Sequence, residues 1–170
     1  MDLFIRPVEP RDAGELLRLM LQLQTESDTF VLANDLTDLD EKTEADNLLA
    51  LQSTRNNILL AIADNQNNFY GVASATAIPG HPREAEVGVA LVKKIQGIGL
   101  AQDLIDELII WAQEYSTVDT LSLIVQKRNV VARHIYEKYG FVQLAGSEMQ
   151  VTDPDGEVVE AFEMKFEVGE

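Results

Sequence analysis

Two glycines stand two residues apart in the stretch QGIGLAQDLI, residues 96–105, where a strand-like segment gives way to a helix-like one. Glycine allows a positive φ and lets another group approach the backbone closely. The N–H groups at the start of a helix, with the positive end of the helix dipole, also form a site for an anion. Gly97 and Gly99 therefore predict either a helix-entry turn packed on a sheet or an anion-binding loop.

The residues around these glycines exclude two common phosphate-binding motifs. A P-loop, GxxxxGK[ST], needs a lysine followed by serine or threonine, and no such pair follows the glycines. A dinucleotide fingerprint, GxGxxG, needs a third glycine at the position of Gln102 and normally opens the first βαβ unit of a chain. An anion at this turn would have to be a different kind of ligand.

The distribution of charge favours an anion at the glycine turn. The formal net charge of −16 argues against a nucleic-acid partner, because phosphates would be repelled. Six of the thirteen basic residues nevertheless lie in two short stretches that flank the turn in sequence, namely Lys93, Lys94, Lys127, Arg128, Arg133 and Lys138. Eight acids share one window with a single lysine, Lys42, and indicate either a solubilising surface or attraction of a cationic ligand; they are Glu26, Asp28, Asp35, Asp38, Asp40, Glu41, Glu44 and Asp46.

The composition predicts a globular protein without disulfides or metal. The chain has 170 residues, 46% of them hydrophobic, and no stretch approaches the roughly 18 consecutive apolar residues of a membrane span. Its beginning, MDLFIRPVEP, lacks the pattern of a secretory signal. There is no cysteine, which excludes a thiolate nucleophile and fits a cytoplasmic location. His81 and His134 lack the spacing of a zinc site, so we expect no metal.

Hydrophobic periodicity predicts seven strands and four helices in one mixed α/β domain. Strand patterns occur at residues 2–6, 58–64, 69–78, 84–92, 120–126, 141–151 and 158–168. Helix patterns occur at about 10–24, 40–53, 99–115 and 129–140. A loop is predicted at 78–84, because Pro79, Gly80 and Pro82 interrupt strand pairing. No repeat or linker divides the chain, so we expect a single domain over residues 1–170.

The helix patterns also predict which side chains are buried. On the first two helices they are Ala13, Leu16, Leu17, Met20, Leu23, Ala45, Leu48 and Leu49. On the helix after the glycines they are Ala101, Leu104, Ile105, Leu108, Ala112 and Tyr115. Gly140 stands where a C-terminal cap of the last helix is expected.

The glycine turn resembles a known cofactor loop. Residues 96–101 fit a Q-x-x-G-x-A pattern that resembles the coenzyme A pyrophosphate loop of the GNAT superfamily of N-acetyltransferases. Residues 86–112 are similar to that family's strand, turn and helix, and residues 121–141 to its next strand and helix, with the signature N-x-x-A-x-x-x-Y-x-K-x-G-F intact. The predicted order of elements agrees along essentially the whole chain.

The resemblance implies a fold, a reaction and a cofactor. The fold is α/β (α+β), a single N-acetyltransferase domain over 1–170 with a mixed, mostly antiparallel sheet, helices on both faces, and two parallel strands, 84–92 and 120–126, that splay apart. The implied reaction moves an acetyl group from acetyl-CoA to a primary amine by direct attack in a ternary complex, and the lack of cysteine fits a mechanism without an acyl-enzyme.

The resemblance also implies how the cofactor is held. Its pyrophosphate would lie on the loop at the helix start, and its pantetheine arm would bind unpaired backbone groups of the splayed strand, which in this family carries a bulge. Gly88, in the middle of that strand, fits a bulge, a close backbone approach or tight packing. The implied cofactor-binding residues are Val89, Ala90, Leu91, Gln96, Gly97, Ile98, Gly99, Leu100, Ala101, Asn129 and Arg133.

Two residues are implied as catalytic groups, each with a structural alternative. Attack on a thioester requires a neutral amine and releases a thiolate, so a base and an acid are useful. Tyr136 occupies the family's tyrosine position as the acid, and is otherwise a core aromatic residue. Glu86 is the candidate base, acting through water, and is otherwise an ordinary outward glutamate. Asn129 binds the cofactor arm or caps its helix. Arg133 and Lys127 bind the 3′-phosphate or are solvated charges.

The charge pattern also suggests which amine accepts the acetyl group. In this fold the first two helices and the loop between them form the acceptor side, and the acidic window lies there. We therefore expect a small cationic amine such as a polyamine, with Glu26 and Asp28 as contacts. The alternatives are the N-terminus of a protein or peptide, and a non-catalytic domain that senses acyl-CoA. A homodimer is compatible with the fold, whereas no nucleic acid or membrane partner is expected.

Overall fold

A computed structural model describes residues 2–26, 40–153 and 155–169 of the chain. These residues form eight strands and four α-helices. In chain order the elements are β1 (Phe4–Pro7), α1 (Ala13–Glu26), α2 (Glu41–Gln52), β2 (Ile58–Ala63), β3 (Phe69–Ile78), β4 (His81–Leu91), α3 (Leu100–Glu114), β5 (Thr120–Gln126), α4 (Val130–Lys138), β6 (Val142–Gln143), β7 (Met149–Thr152) and β8 (Val158–Glu167).

All strands belong to one mixed sheet with the order β1-β2-β3-β4-β5-β8-β6, and β7 also pairs with β8. The pair β4–β5 is parallel and the other pairs are antiparallel. Helices lie on both faces of this sheet, so the predicted fold class is confirmed. No helix in the described ranges has the length and apolar character that crossing a membrane requires.

The parallel pair at the centre of the sheet is short. β4 and β5 are paired at Glu84–Thr120, Ala85–Leu121 and Glu86–Ser122, and the pairing ends there although both strands continue. On its other edge β4 stays paired with β3 as far as Leu91. The predicted splaying of these two strands is therefore confirmed, and its starting point is Glu86.

The core lies between the sheet and the amphipathic faces of α1 and α3. Ala13, Leu16 and Leu23 of α1 are buried as predicted, but Leu19 is also buried while Leu17 is only half-buried. Leu19 lies three residues after Leu16 and four before Leu23, so it shares their face of the helix, whereas Leu17 lies farther round the helix. On α3 the buried side chains include Leu104, Ile105, Leu108 and Ala112, as predicted.

The predicted burial of two side chains is wrong. Tyr115 is 68% exposed, because α3 ends at Glu114 and the residue after a helix no longer follows its buried face. Leu49 is 59% exposed, because α2 buries a narrow stripe in which Leu48 is the fully buried residue. Gly140 follows α4 with φ 101, which confirms its place as a helix-terminating glycine.

Three predicted features of the strands also need correction. The segment 78–84 is not a loop, since β4 begins at His81 after a tight turn and the β3–β4 register jumps there, where Pro82 has no N–H to donate. The segment 141–151 is two short strands separated by Gly146, whose φ is 77. The bulge implied for β4 is absent at Gly88, because the β3–β4 register is continuous from Ala85 to Leu91.

A buried ion pair fixes the junction between β1 and α1. Asp12 is 5% exposed, and its carboxylate accepts hydrogen bonds from the guanidinium of Arg6 at 2.7 and 3.0 Å and from the Glu9 N–H at 2.8 Å. Burial on its own would raise the pKa of Asp12, but the hydrogen bonds from Arg6 and Glu9 outweigh it, so this pKa lies below its usual value. The junction therefore depends on an ionised Asp12.

We predict that Asp12→Ala lowers the free energy of unfolding by about 2–4 kcal/mol, because it leaves a charge and a backbone N–H without their partner. Urea denaturation measures the loss. This difference in the free energy of unfolding should be constant above roughly pH 4. It should shrink as the pH falls through the lowered pKa of Asp12, because the wild type then also loses the charge of Asp12. Arg11→Ala, at a side chain that is 70% exposed, should cost less than about 1 kcal/mol. Equal losses in the two variants would contradict the prediction.

Candidate active site

Beyond Glu86, no strand of the described residues pairs with the edge of β4 that faces β5. The N–H of Val92 donates to the Tyr70 carbonyl at 2.9 Å, which fixes the hydrogen-bonding phase of the antiparallel β3–β4 pair. Hydrogen bonding alternates along β4, so the backbone N–H and C=O groups of Gly88 and Ala90 bond to β3. Those of Val89 and Leu91 point the other way, into the gap between β4 and β5 beyond Glu86.

Of the three strand residues predicted to bind the cofactor arm, Val89 and Leu91 are thus oriented to do so. The β4–β5 ladder supplies neither of them with a partner. The Leu91 carbonyl accepts a hydrogen bond from Nε2 of Gln96 at 3.0 Å, so the side chain of Gln96 closes the loop onto the end of the strand. The backbone of Ala90 faces β3, and its contribution to a pantetheine site would come from its half-buried side chain.

The glycine loop presents unpaired N–H groups at the start of α3. Gly97 and Gly99 have φ values of 81 and 89, in the left-handed region. Gln96 donates to the Lys93 carbonyl and Asp103 donates to the Gly99 carbonyl, but no acceptor in the described ranges takes the N–H of Gly97, Ile98 or Gly99. Leu100 and Ala101 follow in the first helical turn, where N–H groups have no partner within the helix.

The space above these glycines is open. A Cβ placed on Gly97 or Gly99 would have no atom of the described residues within 4 Å. The protein's own packing therefore does not require glycine here, although the left-handed φ does. This observation fits a loop that must leave room for a ligand, and the positive end of the α3 dipole makes an anion the favoured one.

The end of α1 contacts the base of this loop. Oε1 of Glu26 accepts a hydrogen bond from the Lys93 N–H at 2.8 Å, and Oε2 accepts one from Nε2 of Gln22 at 2.8 Å. The Lys93 N–H is the main cause, and Gln22 the second, of a pKa of Glu26 below its usual value. The other predicted acceptor contact, Asp28, lies outside the described residues. The Glu26–Lys93 bond was missed at the sequence level, because no pattern joins residues so far apart.

Tyr136 of α4 packs in an aromatic cluster and keeps its hydroxyl proton. Its ring packs against Phe141 with centroids 5.7 Å apart, and Phe141 in turn packs against Phe166 at 5.4 Å. Burial raises the pKa of Tyr136 to about 12. Its hydroxyl donates to no acceptor in the part of the chain that the structure describes. The phenol is therefore neutral at physiological pH and retains a free proton.

Asn129 caps α4 and still retains a free donor. Its Oδ1 accepts a hydrogen bond from the Ala132 N–H at 3.3 Å, which is the N-cap interaction. Its Nδ2 has no acceptor within the described ranges, so the cap and a hydrogen bond to a ligand carbonyl do not compete for the same atom. The two roles that the sequence left open are compatible.

The basic residues on α4 and just before it make contacts within the protein. Arg133 lies over the ring of Phe162 at 5.2 Å and donates from Nη1 to the Lys127 carbonyl at 3.0 Å, while its Nε is buried without a partner. Lys127 pairs with Glu160 at 3.3 Å. Arg133 is thus held against the sheet rather than solvated, and Lys138 bonds Gln102 of α3 at 2.9 Å.

Glu86 lies at the point where the sheet opens, on a face that carries other charges. It pairs in register with Ser122, which pairs with Lys165 of β8, so the three side chains share one face of the sheet. Lys165 contacts Glu84 at 3.1 Å and Glu163 at 3.9 Å. No sequence pattern predicted this cluster, although the alternation Glu163-Met164-Lys165 places two of its charges on the same face.

A depression elsewhere on α3 is not suited to a phosphate. It has a volume of about 360 Å³ and lies between β1, β2 and the first turns of α3, where Asp103, Asp106 and Glu107 line it. Three carboxyl groups would repel an anionic cofactor. The loop and the gap beside β4 are the better site, because they combine free N–H groups with open space.

Together these features define a class of protein. Two parallel strands that separate in mid-sheet, a glycine loop with free N–H groups at the next helix, and a neutral tyrosine on the helix after that are the features that the resemblance to GNAT acetyltransferases predicts. Residues 2–142 match the family model described as the Acetyltransferase (GNAT) domain. The chain belongs to the GNAT acetyltransferase family.

Solved structures agree with this assignment. A GNAT-family acetyltransferase from Streptococcus pneumoniae is 27% identical, with a TM-score of 0.87 over 98% of this chain and 99% of its own. A phosphinothricin acetyltransferase from Sinorhizobium meliloti, in complex with acetyl-CoA, is 14% identical, with a TM-score of 0.79 over 99% and 90%.

A ribosomal-protein-S5-alanine acetyltransferase from Vibrio fischeri also has this fold. It is 15% identical, with a TM-score of 0.82 over 100% of this chain and 95% of its own. No curated protein sequence matches the chain at a significant level.

We predict that Gly99→Ala weakens acetyl-CoA binding at least tenfold, because alanine disfavours a φ of 89 and its methyl group would occupy the open space over the loop. Titration calorimetry of acetyl-CoA measures the effect. Gly80→Ala is the matched control, since Gly80 has a φ of 82 and similar open space but lies in the β3–β4 turn. Both variants should lose about 1–2 kcal/mol of stability, and unchanged affinity in Gly99→Ala would contradict the role of the loop.

Proposed function

We propose that the protein transfers the acetyl group of acetyl-CoA to the primary amine of a small cationic acceptor, by direct attack within a ternary complex. Residues 1–170 would act as one N-acetyltransferase domain, which the single continuous sheet from β1 to β8 supports. The observation that carries the acceptor proposal is the charge around the point where β4 and β5 separate.

The acidic groups at this point outnumber the basic ones. Glu84, Glu86 and Glu163 lie with a single lysine, Lys165, on the same face of the sheet. The hydrogen bond to Glu84 raises the pKa of Lys165, so this lysine stays charged and the cluster keeps an excess of negative charge. A cationic amine is attracted to such a surface, and a carboxylate-bearing acceptor is disfavoured.

The two helices on the acceptor side, α1 and α2, carry further negative charge. Asp40, Glu41 and Asp46 stand at or near the start of α2, and Glu26 ends α1. Asp28, Asp35 and Asp38 belong to the same acidic window but lie outside the described residues. The acceptor would thus meet negative charge both from the helices and from the opened sheet.

Bound acetyl-CoA supplies the acetyl group as a thioester. The N–H groups of Gly97, Ile98 and Gly99 would hold its diphosphate, and the backbone of Val89 would hold its pantetheine arm. Nδ2 of Asn129 is free to donate to an amide carbonyl of that arm. These contacts orient the thioester beside the opened edge of β4.

Two side chains of this protein would move the protons. Glu86 would accept a proton from the cationic acceptor through a water molecule, which makes the amine nucleophilic. Tyr136 would donate its hydroxyl proton to the departing sulfur. A pKa of about 12 keeps Tyr136 protonated until it is needed, because a raised pKa means that the neutral form persists to higher pH.

The terminal amine of a peptide is the second candidate acceptor. The observation in its favour is the likeness to the ribosomal-protein-S5-alanine acetyltransferase, although at 15% identity that likeness concerns the fold. A peptide acceptor needs a groove for its following residues, whereas a polyamine needs mainly negative charge.

An acceptor panel at two ionic strengths separates these candidates. Thiol release from acetyl-CoA is measured with a polyamine, a neutral amino acid amide and an Ala-starting peptide. We expect the polyamine to give the highest kcat/KM and to lose about tenfold between low and high salt, because screening weakens long-range attraction. A higher kcat/KM for the peptide or the neutral amide would overturn the cationic-acceptor proposal.

We predict that Tyr136→Phe lowers kcat by about 10²-fold and leaves the Kd of acetyl-CoA within about twofold, because it removes a proton donor and preserves the ring packing. Tyr139→Phe is the matched control. Burial and a hydrogen bond to Asp106 raise the pKa of Tyr139, so its hydroxyl has a structural partner on α3. Full activity in Tyr136→Phe would exclude the acid role.

We predict that Glu86→Gln lowers kcat/KM about 10²-fold near neutral pH and that part of this loss is recovered at high pH, where more of the acceptor amine is already neutral. The pH profile of kcat/KM, measured with the best acceptor, tests this. Glu84→Gln, two residues away on the same face, should not change the shape of the profile. A pH-independent defect in Glu86→Gln would mean that Glu86 does not act as a base.

A further inference from the structure

We propose that Glu26 is a positioning residue for the cofactor loop, because its carboxylate joins a chain of polar side chains on α1 to the backbone at the base of that loop. This role differs from the acceptor contact that the sequence predicts for Glu26. It rests on acetyl-CoA as co-substrate and is independent of which amine is the acceptor.

Each carboxylate oxygen of Glu26 accepts a hydrogen bond from another residue of the protein. Oε1 accepts from the Lys93 N–H at 2.8 Å and Oε2 accepts from Gln22 at 2.8 Å. Hydrogen bonds that involve a charged acceptor are stronger than neutral ones. Lys93 lies between the end of β4 and the glycines, so the bond acts on the segment that leads into the N–H groups of Gly97 to Gly99.

The chain of polar side chains continues along one face of α1. Nη1 of Arg18 donates to Oε1 of Gln22 at 2.7 Å, and Nη2 donates to the Phe69 carbonyl at 2.9 Å. Glu15 forms an ion pair with Arg18 and accepts from the Phe69 N–H at 2.6 Å. The spacing of three or four residues between successive members places them side by side on the helix.

The two ends of this chain hold neighbouring parts of the sheet. Phe69 begins β3 and Lys93 follows β4, and the bond from Val92 to Tyr70 joins these same ends. Hydrogen bonds therefore hold α1 to both the start of β3 and the segment that leads into the glycine loop. Replacing Glu26 removes the bond to Lys93, while the bonds of Arg18 and Glu15 to Phe69 remain.

Other contacts keep the loop folded when Glu26 is removed. Gln96 still bonds the Leu91 carbonyl, Lys94 still lies over the Tyr70 ring at 5.6 Å, and Ile95 is buried in the core. Loss of Glu26 should therefore shift the loop N–H groups without unfolding the protein. The expected defect is in the binding of the diphosphate and not in the chemical step.

The first experiment measures acetyl-CoA binding in the absence of any acceptor. Titration calorimetry of Glu26→Ala should give a Kd about 5- to 20-fold higher than the wild type. Glu26→Gln, which retains an oxygen acceptor for the Lys93 N–H, should recover most of the affinity. Gln24→Ala is the control, because Gln24 is exposed in the same last turn of α1, and its Kd should match the wild type.

The second experiment separates loop placement from a general structural defect. S-acetylpantetheine carries the thioester but lacks the diphosphate and the nucleotide. Glu26→Ala should raise the KM for acetyl-CoA with kcat unchanged at saturation, and should leave kcat/KM with S-acetylpantetheine within about twofold of the wild type.

Each contrary result has a distinct meaning. An unchanged Kd for acetyl-CoA together with a raised KM for the acceptor would overturn the proposal and restore Glu26 as an acceptor contact. Equal losses with acetyl-CoA and S-acetylpantetheine would also overturn it, because a general defect would then be responsible. If no cationic acceptor is found, the calorimetric test of Glu26 is still valid. The positioning role of Glu26 and the cationic acceptor can therefore be refuted independently.

Discussion

The architecture depends on backbone hydrogen bonds that β4 cannot make. After Glu86 its neighbour β5 leaves, while β3 remains paired on the other side. Backbone N–H and C=O groups removed from water need partners, and a third strand would normally provide them. Here the groups of Val89 point into a gap, so an extended ligand with amide groups can take the place of the missing strand. The catalytic proposal follows from this position, because a ligand bound there is held in register with Glu86.

The elements after β4 complete the same site. The strand leads into a loop whose two left-handed glycines turn the chain so that α3 begins with its N–H groups exposed. The following strand leads to α4, which carries Asn129 at its first turn and Tyr136 two turns later. In the proposed function, one ligand would contact the open edge of β4, the start of α3 and the hydroxyl of Tyr136. Main-chain atoms would supply many of these contacts, and such contacts tolerate variation in side chains.

The sequence predicted the splayed strands and the glycine turn before α3 better than it predicted the details of the core. Glycine positions and the spacing of Asn129 and Tyr136 are local, so they can be read directly from the chain. The exposure of Tyr115 depends on where α3 ends, and the burial of Leu19 rather than Leu17 depends on which face of α1 packs against the sheet. The bond from Glu26 to Lys93 and the cluster around Lys165 join distant segments, and tertiary packing alone creates them. No local pattern carries that information.

Because the β4–β5 pairing is short, the sheet consists of two halves that are only weakly joined by backbone hydrogen bonds. The half from β1 to β4 and the half from β5 to β8 are joined in the sheet by three paired residues of each strand. A ligand bound beside the open edge of β4 would contact both halves and stabilise their relative position. By mass action, acetyl-CoA bound there would add to the folding stability of the enzyme. The resting lifetime of the protein would thus depend on the acetyl supply that it consumes.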